Sequence, residues 1–407
     1  MSSVVDRFLR YVKVNTQSDH HSGVHPSTTH QLNLAQMLMD ELKSLGLEEV
    51  EMDVYGNVTA TLPANVGRAT PTVGLLAHMD TSPDMSGENV TPQIVEHYDG
   101  GDIVLNRELN VILSPREFPD LKEYIGESLI TTDGTTLLGA DNKAGVAEIM
   151  AALEMLVQHP KIAHCRVRVG FTTDEEIGTG IPLFDVKKFA ADYAYTIDGG
   201  ALGELQFENF NAARALVTFK GRSVHPGASK DKMINASLVA MEFNGMLPAH
   251  ETPAHTAGYE GFYHLTGMKG DVEGSSLGYI IRDHNRANFE ARKDWMKRSA
   301  EWLNQKYGAG TVTVELVDQY RNMREKVEPA MHVVDIARKA MQQVGITPLV
   351  EPVRGGTDGA ELSWKGLLTP NLFTGGHNFH GKFEYAVAST MEKSVETIVK
   401  ILELSAK

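Results

Sequence analysis

Apolar residues recur every three or four positions through residues 2–14 and 31–45, which predicts two helices, the second closing at Gly46. Shorter apolar runs at 50–62, 72–79, 165–171 and 193–197 predict strands. After Asp141 the pattern turns helical again, and Val146, Ile149, Met150 and Leu153 share one face as core packing. Strands alternating with helices predict an α/β unit built on a mixed, largely parallel sheet flanked by helices. From residue 211 the order changes. A strand (A-R-A-L-V-T-F), a helix at 235–247, two strands, a helix at 288–307 and a last strand (T-V-T-V-E-L-V) follow one another. This β-α-β-β-α-β succession closes as a four-stranded sheet with two helices on one face. Residues 210–320 are therefore expected to form an inserted α+β lid domain. Residues 1–209 and 321–407 should form the larger domain, ending in a helix at 385–404.

At 407 residues the chain exceeds what one hydrophobic core usually covers, which agrees with two domains. A net charge of -15 would be repelled by nucleic acid and by anionic membrane surfaces, so neither is expected as a partner. Asp6 and Arg7 interrupt the N-terminal apolar run, and no stretch approaches the ~18 residues of a membrane span. The single cysteine, Cys165, cannot form an internal disulfide; a cytoplasmic protein is expected.

Candidate chemistry gathers at the ends of the predicted strands. The run V-G-L-L-A-H-M-D-T ends in His78 and Asp80, which an extended chain aims to one side. Asp141, the adjacent Glu175 and Glu176, Asp198 and His380 sit in comparable positions. In open parallel sheets functional groups collect beyond the carboxyl ends of the strands, so these places can converge. Two histidines with several carboxylates suit two divalent ions of the zinc type, although each residue alone reads equally well as a cap or turn residue. No G-x-G-x-x-G opens a helix after a strand. G-H-N-F-H-G-K-F carries Phe383 where a phosphate-binding loop needs Ser or Thr, and no G-x-S-x-G marks a hydrolase serine.

Taken in order, A-H-M-D-T, G-A-D-N-K-A-G, T-D-E-E-I-G, I-D-G-G, S-V-H-P-G and G-G-H-N-F-H-G resemble the aminotripeptidase branch of the co-catalytic zinc peptidases related to aminoacylases and glutamate carboxypeptidases. The resemblance spans essentially the whole chain. It implies two Zn2+ ions per chain, replaceable by Co2+ or Mn2+. Asp141 would bridge them, His78 and Asp198 would complete one site, and Glu176 and His380 the other. Asp80 would orient His78, Glu175 would act as general base on a water held between the ions, and the Asp141–Asn142 peptide bond would be cis. The substrates implied are tripeptides, cleaved after the first residue, and the enzyme would be a monomer or homodimer.

The resemblance also implies that His225 and Arg282 of the insert bind substrate. Read without it, His225 is a turn histidine before Pro226 and Arg282 a surface partner for Asp283. Arg354, in V-R-G-G-T-D-G, could pair with a peptide carboxylate. Two alternatives remain. Related enzymes are carboxypeptidases, dipeptidases or deacylases, against which Asp198 favours a free amino terminus. A metal-dependent peptide-binding protein without catalysis would have no use for Glu175.

Overall fold

The computed structural model describes residues 2–407. Its contacts divide the chain into two compact units, one of Met1–Phe207, Glu325–Glu351 and Thr357–Lys407, the other of Glu208–Arg324 and Pro352–Gly356.

The first unit is built on a seven-stranded sheet in the order Glu48–Met52, Val58–Leu62, Arg166–Thr172, Thr72–His78, Tyr193–Gly199, Asn371–Phe373, Leu205–Gln206. The four strands from Arg166–Thr172 to Asn371–Phe373 run parallel, and the edges are antiparallel, so the sheet is mixed and largely parallel as the sequence implies. Val73, Leu75, Val167, Val169, Tyr195 and Ile197 are fully buried in the central strands, which accounts for their continuous apolar runs. The helix Ala140–Gln158 packs on the strands Thr72–His78 and Tyr193–Gly199. Helices Ser3–Tyr11 and Ala388–Ser405 pack on it in turn.

Two expectations need correction. The run 50–62 is not one strand but a hairpin, because Asp53 Oδ1 accepts the amides of Tyr55 (2.8 Å) and Asn57 (2.9 Å) and Gly56 takes a positive φ of 85°. The C-terminal helix starts at Ala388 rather than Tyr385. Tyr385–Val387 is instead a strand in a second, four-stranded sheet with Gly376–His377, Leu129–Thr131 and Gln93–Val95.

The second unit has the β-α-β-β-α-β order. Its antiparallel sheet runs Phe262–Gly270, Gly274–Asp283, Asn211–Lys220, Val312–Tyr320. Helices Ala236–Gly245 and Arg286–Tyr307 cover one face and bury Val217, Phe219, Phe243, Tyr279, Met296 and Leu303 between the layers. Asn235 and Asn285 cap these helices, accepting the amides of Ser237 and Asn288 respectively (both 3.0 Å).

Helix Ala140–Gln158 comes close to the sheet at Gly145, where an added Cβ would lie 1.9 Å from the Ile197 carbonyl oxygen and 2.6 Å from Asn142 Oδ1. That approach brings the start of the helix, with Asp141, to the end of the strand that carries Asp198. Gly145→Ala is therefore expected to destabilise the fold by at least about 2 kcal/mol. Denaturant unfolding of the two proteins checks this, and an unchanged midpoint would refute it.

Candidate metal centre

Parallel pairing puts the ends of three strands side by side: His78 lies opposite Thr172, and the Asp198 strand runs alongside. The loop 173–176 leaves the Thr172 strand, Asp141 enters at the start of its helix, and His380 arrives on the loop after Gly376–His377. The Asp141–Asn142 peptide bond is cis. Asp174 and His380 hold left-handed backbone, with φ of 59° and 64°.

These residues form two triads that share one carboxylate. His78, Asp141 and Asp198 make the first and Asp141, Glu176 and His380 the second, with the ligand atoms of each lying within 4.8 Å of one another. Asp141 divides its two oxygens between them, Oδ1 at 2.9 Å from His78 Nε2 and Oδ2 at 3.3 Å from His380 Nε2. Asp198 Oδ1 is 3.4 Å from His78 Nε2, and Glu176 Oε2 is 2.9 Å from His380 Nε2. Glu175 Oε2 stands 3.8 Å from His78 Nε2. The seven residues singled out for metal binding and catalysis are thus in one place.

The supporting contacts differ in part from the sequence reading. The carboxylate of Asp80 is 3.5 Å from His78 Nδ1, further than the Asp80 carbonyl oxygen at 3.1 Å. Its two oxygens instead accept the backbone amides of Glu175 (3.0 Å) and Glu176 (3.1 Å). A carboxylate comes closer to the histidine of the other triad, where Asp84 Oδ2 lies 3.3 Å from His380 Nδ1.

Sequence reasoning missed two buried acids. Glu384 accepts the amides of Leu138 (2.7 Å), Gly139 (2.9 Å) and Asp141 (3.1 Å), and so fixes the turn that presents Asp141. Asp358 accepts from Thr172 Oγ1 at 3.2 Å. Asp358 stood in the quoted V-R-G-G-T-D-G, whereas nothing local distinguishes Glu384.

Electrostatics mark this as a place short of positive charge. Burial lifts Glu176 to about 8, helped by Asp141 and opposed by His380. Burial likewise lifts Asp198 to about 6 against the pull of His78. Glu175 rises well above the usual range, through burial and the carboxylates of Asp358, Asp198 and Glu176. Burial alone would lower His78, but Asp198, Glu175 and Asp141 raise it well above its ordinary value. His380 is raised to about 11 by its contacts with Asp141 and Glu176. Burial would raise Asp141 too, yet both histidines overcome it and hold its carboxyl below the usual range.

The donors fit two divalent cations. Glu176 Oε1 is buried without a hydrogen-bond partner, an unmet anionic oxygen where the second triad needs a cation. The triads offer imidazole nitrogen and carboxylate oxygen with no thiolate, a set suited to zinc and similar ions.

The remaining three predicted residues belong to the second unit. His225 precedes the turn Pro226–Ala228 and accepts from Gly227 N at Nδ1 (3.1 Å). Arg282 does not pair with Asp283, which is held by Arg292 Nε at 2.8 Å. The Arg282 guanidinium lies over the Tyr320 ring, 5.0 Å from its centroid, and donates to Gln319 Oε1 at 3.2 Å. Arg354 donates to the carbonyl oxygens of Gly258 (2.6 Å), Glu260 (3.0 Å) and Thr256 (3.4 Å), and to Thr256 Oγ1 (3.0 Å).

Residues 207–311 match the family described as the peptidase dimerisation domain. The architecture is that of PepT from Bacillus cereus, described as an aminopeptidase, with a TM-score of 0.80 over 100% of this chain and 98% of that one at 24% identity. It also follows a dinuclear metal-binding peptidase of the M20 family from Bacillus subtilis, with a TM-score of 0.67 over 98% and 96% of the two chains at 12% identity. The fold is thus the M20 peptidase fold. In sequence the chain is 57% identical to peptidase T of Alkaliphilus oremlandii over 409 residues, 100% of both proteins. It belongs to the peptidase T family.

Proposed function

We propose that the chain is a zinc aminopeptidase that releases the N-terminal residue from tripeptides. The observation that carries the reading is the division of the Asp141 carboxylate between two ligand triads with Glu175 alongside. The names of the relatives, peptidase T and aminopeptidase PepT, support its direction. His78, Asp141 and Asp198 would hold one zinc ion, and Asp141, Glu176 and His380 the other. When bound, such ions supply Lewis acidity at the scissile carbonyl and acidify nearby water. Co2+ or Mn2+ would meet the same donors.

Glu175 takes the proton of the attacking water on its carboxylate and returns it to the departing amine nitrogen. Asp80 holds the backbone of Glu175 and Glu176 by their amides, so the base and the ligand next to it keep opposite directions. Glu384 fixes the turn before Asp141. We assign the substrate contacts to His225, which would stabilise the developing oxyanion, and Arg282, which would pair with the terminal carboxylate. The donors of Arg354 are engaged by the loop 256–260, so that arginine braces the loop. The reading requires a free amino terminus, which the acylated substrates of related deacylases lack.

The partner we propose is a second copy of the chain. Strand Phe262–Gly270 is an edge of its sheet and largely exposed; Leu265 and Met268 on it, with Leu238 and Met241 on helix Ala236–Gly245, are exposed apolar side chains. They lie within the segment that matches the peptidase dimerisation domain. No described helix is long and apolar enough to cross a membrane. A cytoplasmic location rests on the sequence reading.

Three measurements test these proposals. The zinc-loaded protein should cleave free tripeptides with kcat/KM about a hundredfold above di- and tetrapeptides, since a misplaced terminal charge costs a few kcal/mol. Equal cleavage of tetrapeptides or N-acetyl peptides would replace the reading with a broader aminopeptidase or a deacylase. Glu175→Gln should lose turnover by at least about a thousandfold while metal analysis still finds two ions; substantial activity, or an empty site, would remove Glu175 from the role of base. Sedimentation equilibrium should give a dimer that Leu238→Glu with Met268→Glu converts to monomer, and a wild-type monomer would exclude the second copy.

A further inference from the structure

Several carboxyl groups gather at the ends of the central strands, and most have a task. Asp141, Glu176 and Asp198 belong to the ligand triads, Asp80 accepts two backbone amides, and Glu175 stands beside His78 as the proposed base. Asp358 remains. It opens the helix Asp358–Trp364, just after the N-cap Thr357. It is 9% exposed, and its hydrogen-bond partner is a neutral hydroxyl, Thr172 Oγ1, on the residue paired across the strands with His78. No lysine or arginine among the described residues lies within ion-pair distance of it, and it completes neither triad. A buried acid so placed has no lysine or arginine to pair with, and His78, already shared with Asp198 and Asp141, is the cationic group that bears on it.

We propose that Asp358 receives the α-ammonium group of the peptide substrate and thereby sets the requirement for a free amino terminus. This rests on the aminopeptidase reading above and names the residue that reading leaves open. The ammonium brings the charge that Asp358 lacks, together with three donors for a carboxylate. Asp198 and Asp141, drawn toward His78 and the proposed ions, are poor candidates for the same contact. An acetylated amino end offers one neutral N–H in place of a cation and would leave the acid unpaired, so discrimination arises at this position. Thr172 fixes the carboxylate at one oxygen and so acts as a positioning residue.

Asp358→Asn keeps the shape and an acceptor for Thr172 but not the charge. In the zinc-loaded full chain, two ions should remain bound. The kcat/KM for a free tripeptide should fall about a hundredfold, mostly through KM. The slow cleavage of the N-acetyl tripeptide should be unchanged, so the ratio of free to acetylated rates collapses. Asp358→Glu should recover part of that ratio, and Thr172→Val should weaken it with Asp358 intact. If both substrates slow in parallel, Asp358 is structural; if metal content drops, it is a ligand; if the ratio is untouched, another group binds the amine. Each of these overturns the proposal. Failure of the wild-type protein to cleave free tripeptides would instead overturn the aminopeptidase reading, so the two failures are separable.

Discussion

Everything at this site depends on bringing anionic groups together where water screens them only in part. Asp141 is the centre of that constraint, because its two oxygens face different histidines, 2.9 Å and 3.3 Å away, and Glu176, Asp198 and Glu175 crowd around them. Carboxylates at this density repel strongly in a low-dielectric interior. The fold opposes the repulsion with dipoles: Asp80 and Glu384 each collect backbone amides, and the two imidazoles stand between the carboxylates. What backbone and histidine leave unbalanced defines the demand for cations.

Backbone relations set the frame that carries this site. Parallel pairing sets the heights of His78 and Thr172 relative to each other, and the close passage of Gly145 over Ile197 sets the height of Asp141. Neither relation leaves room for adjustment by a side-chain rotation. The loops that bring Glu175 and His380 adopt left-handed backbone at Asp174 and at His380 itself. Asp174 is held from beneath by Ser27 N (2.7 Å), Ser27 Oγ (2.6 Å) and Gln31 Nε2 (2.7 Å).

Much of this was legible in the sequence, for identifiable reasons. Continuous apolar runs ending in His78 and Asp198 could hardly be anything but buried strands, and the change of pattern near residue 211 marked the β-α-β-β-α-β unit. The hairpin inside 50–62 was obscured because both of its arms are apolar enough to read as one strand; its turn was written in Asp53 and Gly56. Second-layer contacts were harder. The resemblance gave Asp80 the task of orienting His78; its carboxylate lies 3.5 Å from His78 Nδ1 and also accepts amides nearly a hundred residues later in the chain. Glu384 accepts amides more than two hundred residues before it, a relation that no local spacing expresses.

That dispersion of ligands along the chain has a consequence for biosynthesis. His78, Asp141, Glu176 and Asp198 are made early, but neither His380, which completes the second triad, nor Glu384, which holds the Asp141 turn, exists until the ribosome has passed through the whole of the second unit. A nascent chain halted before that point carries the acids without the elements that organise them. The second triad and the turn that presents Asp141 therefore cannot close until synthesis has passed these last contributors.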